Sequence, residues 1–483
     1  MEPKLAKRAA RFFDRSARWL VYGLLFCFLL YGSFWIGAGS GWDWRVLLGA
    51  LLLPALCSLL ARAAARYRRG WILPLLLALA VRLVILAVWE VTPKSDFLET
   101  FQLAQGALDP AKFRPYYTSV FPNLMPWIVY EAAVLRLFGG SVFALRMINV
   151  CASAGTCAFL YGIVLRLTRD RRSALFASSL QALNPFNFFF VSVLSCQHIA
   201  TFLTTAGLYL LFCSRIRRKW LRWLSGGCVI ALSQLFRTEM AVVLIAVLCY
   251  GAYRLLLLLG EGRGAPRRAG AILLCGLLFF AGYFGVIRAA DAVLLGRGLI
   301  DRSITSDTLD YKIAVGMNFE TKGNWNPEDI KLLFDQIERP DEELLRPVAA
   351  ARLADTEKWP ELFSSKMRSL IGDYHDFWQQ IDDRGEAYAG FSAQTLPVLS
   401  RGAMLAVQLL ACAGICAVLL RGRRGPLLLF AVILLGFLLA FLIIEVQVRY
   451  AQALLPFLCI LAGHARLFPG SVRRLSRRRG NRS

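Results

Sequence analysis

Twelve apolar runs constrain this chain more than anything else in it. They cover residues 19–37, 46–63, 71–90, 143–165, 173–191, 197–213, 220–236, 240–259, 269–290, 395–420, 426–444 and 450–466. About 20 apolar residues cross the hydrocarbon core of a bilayer as a helix. In lipid every backbone N–H and C=O must find its partner within the protein, so the runs predict helices and not loops. Composition agrees: 57% of the residues are hydrophobic and only 18% are charged, well outside the range of soluble domains. The expectation is an all-α polytopic membrane protein with about 12 transmembrane helices. The 12 cysteines lie within or beside the apolar runs, with none in 291–394 and no CxxC pair. They read as small apolar fillers and not as a zinc or redox set.

The net charge of +24 is informative through its placement. Basic clusters occupy residues 1–18, 62–69, 166–172, 215–222, 254–268, 421–424 and the tail from 466. With twelve spans all of them fall on one side, which the Lys/Arg bias of short loops identifies as the cytoplasm. All but four of the 32 acidic residues (Glu2, Asp14, Asp170 and Glu261 excepted) fall on the other side or near its boundary. The expected arrangement has both termini cytoplasmic and an uncleaved first helix. The basic tail then reads as a topology signal touching anionic lipid, and no nucleic-acid partner is expected. Residues 124–138 are apolar but short and hold Pro126, Glu131 and Arg136. They predict a helix lying in the interface.

The outer face collects residues 91–142, 195–198, 237–239, 291–394 and 445–450. This divides the chain into an N-terminal segment with two helices (1–70), a transmembrane core (71–290), a small helical extracytoplasmic subdomain (291–394), the last three transmembrane helices (395–466) and the basic tail (467–483). The stretch 291–394 is too long for a plain connection. Asn326-Pro327-Glu328-Asp329 has the order of an N-cap, a first-turn proline and acids on the positive helix end. Trp359-Pro360-Glu361 opens a second helix, expected over 361–378. Gly316-Met317-Asn318 and 321–325 read as tight loops.

Candidate site residues lie on this outer face. Asp96 and Glu99 follow an early span, at a depth where a carboxylate can serve as a base. Glu445, Arg449 and Tyr450 lie where one span ends and the next begins. Glu445 and Arg449 at i and i+4 are expected to share a helix face, and the fork of Arg449 suits a phosphate. Arg237, in the turn with Thr238 and Glu239, and Lys366 are further phosphate candidates. His198 and Gln197 open a span. Asp373, His375 and Asp376 form a polar cluster, but no second ligand motif accompanies it, so no metal site is assigned. No phosphate-binding glycine loop is present.

These residues resemble the GT-C superfamily of integral membrane glycosyltransferases, especially bacterial members akin to protein O-mannosyltransferases and the lipid A aminoarabinose transferase. Ser95-Asp96-Phe97 resembles the acidic motif of the first outer loop. Phe121-Pro122-Asn123 and Leu135-Arg136-Leu137-Phe138-Gly139 resemble its interfacial helix, and Ala182-Leu183-Asn184-Pro185 the middle of the core. Val315-Gly316-Met317-Asn318 with Gly323-Asn324-Trp325-Asn326 resembles the large outer loop of bacterial members, and 445–450 with Leu454-Leu455-Pro456 their final spans. The first two helices are extra relative to the usual core. Many bacterial members carry Glu where Gln197 stands.

The resemblance implies a polyprenyl-phosphate sugar as donor, a glycan, lipid or protein as acceptor, and transfer by inversion with Asp96 as general base. It leaves cofactors, including a divalent metal, open. A lipid-linked oligosaccharide ligase or polymerase is the nearest alternative. A flippase or transporter fits less well, because neither an internal repeat nor inverted halves are evident and the span centres carry little charge beyond Arg82 and Arg146.

Overall fold

The computed structural model describes residues 3–88, 91–107, 120–214, 216–258, 264–305, 309–339, 342–374, 385–422 and 425–465. Among them the chain is all-helical, without strands. Six helices are long and apolar enough to cross a membrane, and Ile72–Val88 and Leu427–Ile443 are shorter apolar ones. The protein is therefore an integral membrane protein.

The chain opens with α1 (Pro3–Gly39), α2 (Trp44–Ala64) and α3 (Ile72–Val88). Next come α4 (Asp96–Gly106) and α5 (Met125–Leu137), the latter on the stretch expected to lie in the interface. The core continues through α6 (Val142–Thr168), α7 (Arg171–Ala182), α8 (Gln197–Phe212), α9 (Lys219–Phe236), α10 (Ala241–Leu258) and α11 (Ala265–Gly296). The outer subdomain holds α12 (Leu309–Gly316), α13 (Pro327–Glu338), α14 (Leu345–Ala354) and α15 (Trp359–Met367). Finally α16 (Gly385–Leu420), α17 (Leu427–Ile443) and α18 (Leu455–Ala462) return through the bundle.

Helices stand at all twelve expected positions, but two of the spans are broken. The run 173–191 stops at Ala182, because Pro185 cannot donate into the helix and disfavours the helical conformation at Asn184. Short turns at Pro185–Phe188 and Phe189–Ser192 follow. The run 450–466 starts as a 3-10 turn, Val448–Ala453, and becomes α18 only at Leu455. Both breaks lie in buried, polar surroundings, where non-helical backbone at membrane depth is tolerated.

Arg82 explains why the breaks occur together. Fully buried on α3, it donates to Ser153 Oγ (2.8 Å), to the carbonyls of Ala78 and Ala182 (3.0 Å each) and to Asn187 Oδ1 (2.6 Å). Asn187 Nδ2 in turn donates to Gln452 Oε1 at 2.9 Å, and Gln452 Nε2 to the Phe186 carbonyl. One buried guanidinium thus joins α3, α6, the break after α7 and the 3-10 turn 448–453. An ionisable group at such depth calls for a function. Here that function is to position backbone.

α9 and α11 pack closely. A Cβ on Gly227 would lie 2.1 Å from the Phe279 carbonyl oxygen, so only glycine permits the approach. α1 and α2, placed outside the core in the sequence reading, both pack on α16. α1 also reaches the outer subdomain: Tyr31 Oη lies 2.6 Å from Ser364 Oγ.

Candidate active site

The first acid of the expected set begins a helix. Asp96 is the first residue of α4, and Ser95 before it holds a positive φ of 53°. A non-glycine residue there is strained by about 1–3 kcal/mol. The strain sits beside the carboxylate that the sequence singles out. Thr100 returns its hydroxyl to the Asp96 carbonyl at 3.0 Å, and Phe97 is buried against Phe190 at 6.4 Å between ring centroids.

Arg449 lies 353 positions away in the chain and donates through Nη2 to Asp96 Oδ2 at 2.8 Å. The arginine side chain is 10% exposed and the aspartate 52%. The acid therefore keeps an open face while the cation is held in protein. The Arg449 guanidinium lies 4.8 Å over the Phe97 ring and 5.8 Å from the Tyr450 ring. Tyr450 stacks on Phe441 at 5.4 Å and receives Arg237 over its ring at 4.8 Å. Two guanidinium groups thus meet around one aromatic ring, although like charges repel. Each keeps a carboxylate: Asp96 for Arg449, and Glu239 for Arg237 at 2.6 Å.

Beside them opens a cavity of about 270 Å³, lined by Asn123, Gln234, Arg237, Thr238, Glu239, Ile304, Thr305, Leu309, Lys312, Phe441, Ile444, Glu445 and Tyr450. Its polar wall mixes cations, carboxylates and amides, the mixture that binds both hydroxyl-rich and anionic groups. The buried oxygens of Asn123 Oδ1 and Gln234 Oε1 have no hydrogen-bond partner in the protein.

Two site expectations are corrected. Glu445 and Arg449 do not share a helix face. α17 ends at Ile443, residues 445–447 are irregular, and the 3-10 turn begins only at Val448. Glu445 Oε1 accepts from Gln447 Nε2 at 2.6 Å, and Arg449 turns to Asp96. Lys366 does not offer its ammonium to the cavity. It is fully buried, and its Nζ donates to the carbonyls of Gly316 (2.6 Å), Leu442 (2.7 Å) and Ile444 (2.8 Å). An ammonium has three donors, and all are engaged in clamping the subdomain to the end of α17. Gly323, at φ +75°, lets the loop pass over this lysine, with the side-chain carbons 2.9 Å from where a Cβ would stand.

The other expected residues are placed as follows. Glu99 lies exposed one turn past Asp96, and its side chain makes no hydrogen bond or ion pair among the described residues. His198 is buried below Phe190, ring centroids 5.9 Å apart, and does not line the cavity. Gln197 is buried with both side-chain polar atoms unpartnered. In the polar cluster Asp373 pairs with Arg401 at 2.8 Å. His375, Asp376 and the expected helix extension to Trp378 lie outside the described residues. Among the described residues no group of three or more His, Cys, Asp or Glu side chains stands ready for a metal ion.

The subdomain's capping motif forms as expected. Asn326 Oδ1 accepts from the Asp329 N–H at 2.8 Å. The buried Asp329 carboxylate then takes Arg352 Nη1 at 2.8 Å, Asn318 Nδ2 at 3.1 Å and Asn326 Nδ2 at 2.6 Å. Periodicity in the sequence gives no sign of Lys312, Gln234 or Glu131. Glu131, on α5, is fully buried with neither carboxylate oxygen partnered, and burial pushes its carboxyl well above the usual range.

An acid–arginine pair thus lies beside a polar cavity at one end of an all-helical membrane protein. Residues 121–284 match the model of the dolichyl-phosphate-mannose-protein mannosyltransferase family, a family that is part of the GT-C-like glycosyltransferase superfamily. The match includes Asn123, Gln234, Arg237 and Glu239 and excludes Asp96, Lys366 and Arg449. No curated protein and no solved structure matches the chain. The family match supports glycosyltransferase activity.

Proposed function

We propose that the protein transfers a sugar from a polyprenyl-phosphate carrier to an acceptor outside the cytoplasm, with inversion at the anomeric carbon. The observation that carries this reading is the 2.8 Å contact of Asp96 with Arg449 beside the cavity bearing Arg237. The half-exposed Asp96 carboxylate takes the proton of the acceptor hydroxyl. The hydroxyl oxygen attacks the anomeric carbon from the face opposite the phosphate. The bond from that carbon to the phosphate oxygen breaks, and its electron pair leaves with the phosphate. Arg449 and Arg237 stabilise the charge that develops on it. Glu239, Glu445, Gln234 and Asn123 suit the sugar hydroxyls. The isoprenoid chain stays in lipid, which favours a cavity at a helix end over one at the bundle centre.

The test uses membranes containing the protein, a radiolabelled polyprenyl monophosphate sugar, and the Asp96→Asn variant. Wild type consumes the donor and the variant, inserted at equal level, does not. Transfer retained by the variant removes Asp96 from the role of base. Consumption of a diphosphate-linked donor alone indicates the ligase reading instead.

A further inference from the structure

The helices that carry the Asp96–Arg449 end of the bundle build a second cavity at their other end. α8 starts beside the first site and ends at Phe212. α9 starts at Lys219 and ends next to Arg237, and α17 starts at Leu427 and ends below Glu445. α9 and α17 have 18 and 17 residues, so the two ends lie about 25 Å apart, close to the thickness of a bilayer core. The second cavity, about 440 Å³, lies among the ends of α6, α8, α9, α16, α17 and α18.

Its wall is cationic. Arg166 comes from the last turn of α6, Arg169 from that helix's left-handed cap (φ 57°), and Arg222 from the first turn of α9. His464 is buried in the same wall, with Nδ1 2.9 Å from the Ile460 carbonyl. Among the described residues no carboxylate lines the cavity, and none of the three arginines has a carboxylate partner. The Arg222 Nε is shielded from solvent and unpartnered. Arg166 and Arg169 are exposed and Arg222 is half-buried, and all three line one concavity together with Phe212 and Trp223. The shielded Arg222 Nε is the costly donor there unless an anion joins it. A guanidinium cluster over an apolar floor suits a phosphate attached to a hydrocarbon chain.

We propose that this cavity binds the phosphate headgroup of an anionic lipid from the leaflet opposite the catalytic end. Phosphate is the shared chemistry of a lipid headgroup and a free ion. The apolar floor, open between helix ends, assigns the lipid-borne form.

The experiment uses the full chain in nanodiscs of phosphatidylcholine with graded phosphatidylglycerol, and native mass spectrometry to count the lipids retained. Wild type retains phosphatidylglycerol in preference to phosphatidylcholine. The triple variant Arg166→Gln, Arg169→Gln, Arg222→Gln loses that preference at least tenfold. The corresponding triple lysine variant keeps most of it. Arg62→Gln with Arg66→Gln, which removes two exposed charges elsewhere, leaves it unchanged. If the triple glutamine variant does not fold, Arg222→Gln alone reports, with a several-fold loss expected. Three results overturn the proposal: no headgroup preference in wild type, equal preference in the glutamine variant, or displacement of the lipid by an equal concentration of inorganic phosphate, which assigns the site to the free ion.

Discussion

Asp96 and Arg449 show how a residue can be found without its partner being found. A carboxylate just past an apolar run, and an arginine where a late span emerges, were both legible in the sequence. Their pairing was not, because i,i+4 spacing predicts a contact of Arg449 with Glu445 only if the helix continues, and it stops at Ile443. The pair yields a prediction. Arg449→Lys keeps the charge but gives up the planar fork, so the rate of transfer should fall by one to two orders of magnitude with the protein still inserted. Donor turnover in membranes measures this. Equal turnover would show that the fork is not used. Glu131 yields another. Its carboxyl is held above the usual range by burial, so the native state retains a proton that the unfolded chain releases above pH ~4.3. Stability then falls as pH rises through the window between that value and the raised native one. Glu131→Gln should remove this loss, widening the gain over wild type by up to about 1.4 kcal/mol per pH unit. Thermal unfolding in detergent from pH 5 to 8 tests it, and parallel curves for the two proteins would contradict it.

At the level of elements, long apolar runs declared the helices, and the sequence resisted only where helices break. Asn184-Pro185 carries a visible signal for its break, since proline lacks the donor. The 3-10 turn at Val448–Ala453 carries none, because its geometry depends on Gln452 reaching Asn187 and thereby Arg82. Long-range hydrogen bonds of this kind have no periodicity to read. Lys366 is the same case: a lone lysine on a short helix reads as solvated or phosphate-binding, and only the fold brings three carbonyls to it. Lys366→Met leaves those carbonyls buried without donors, a cost of about 3 kcal/mol or more. The expected result is a lowered thermal midpoint and increased proteolysis within 291–394. A variant with normal stability and only a weaker affinity for donor would return Lys366 to the substrate. Gly227→Ala should separate α9 from α11 and reduce folded yield, read by size-exclusion profile, because the added methyl has only backbone to displace.

For the whole molecule, the charge bias read from the sequence predicts an orientation, and the bundle gives that prediction a geometric form. The Asp96 end and the Arg222 end lie at opposite termini of shared helices. Cysteines introduced at Lys94 and at Arg68, both exposed, should therefore be labelled by a membrane-impermeant maleimide from opposite sides of intact cells or inverted vesicles. Labelling of both from one side would invalidate the assigned topology and the proposed location of transfer with it.

The lysine clamp has one more consequence. Because the ammonium of Lys366 ties α15 to the last carbonyls of α17, the outer subdomain is anchored to the same strut that supplies Phe441 to the wall of the first cavity. A wall braced in this way is expected to keep its dimensions when a guest arrives. On the proposed function, exchanging Gln234 or Asn123, both in that wall, should then retune the preferred hexose without disturbing the scaffold around it.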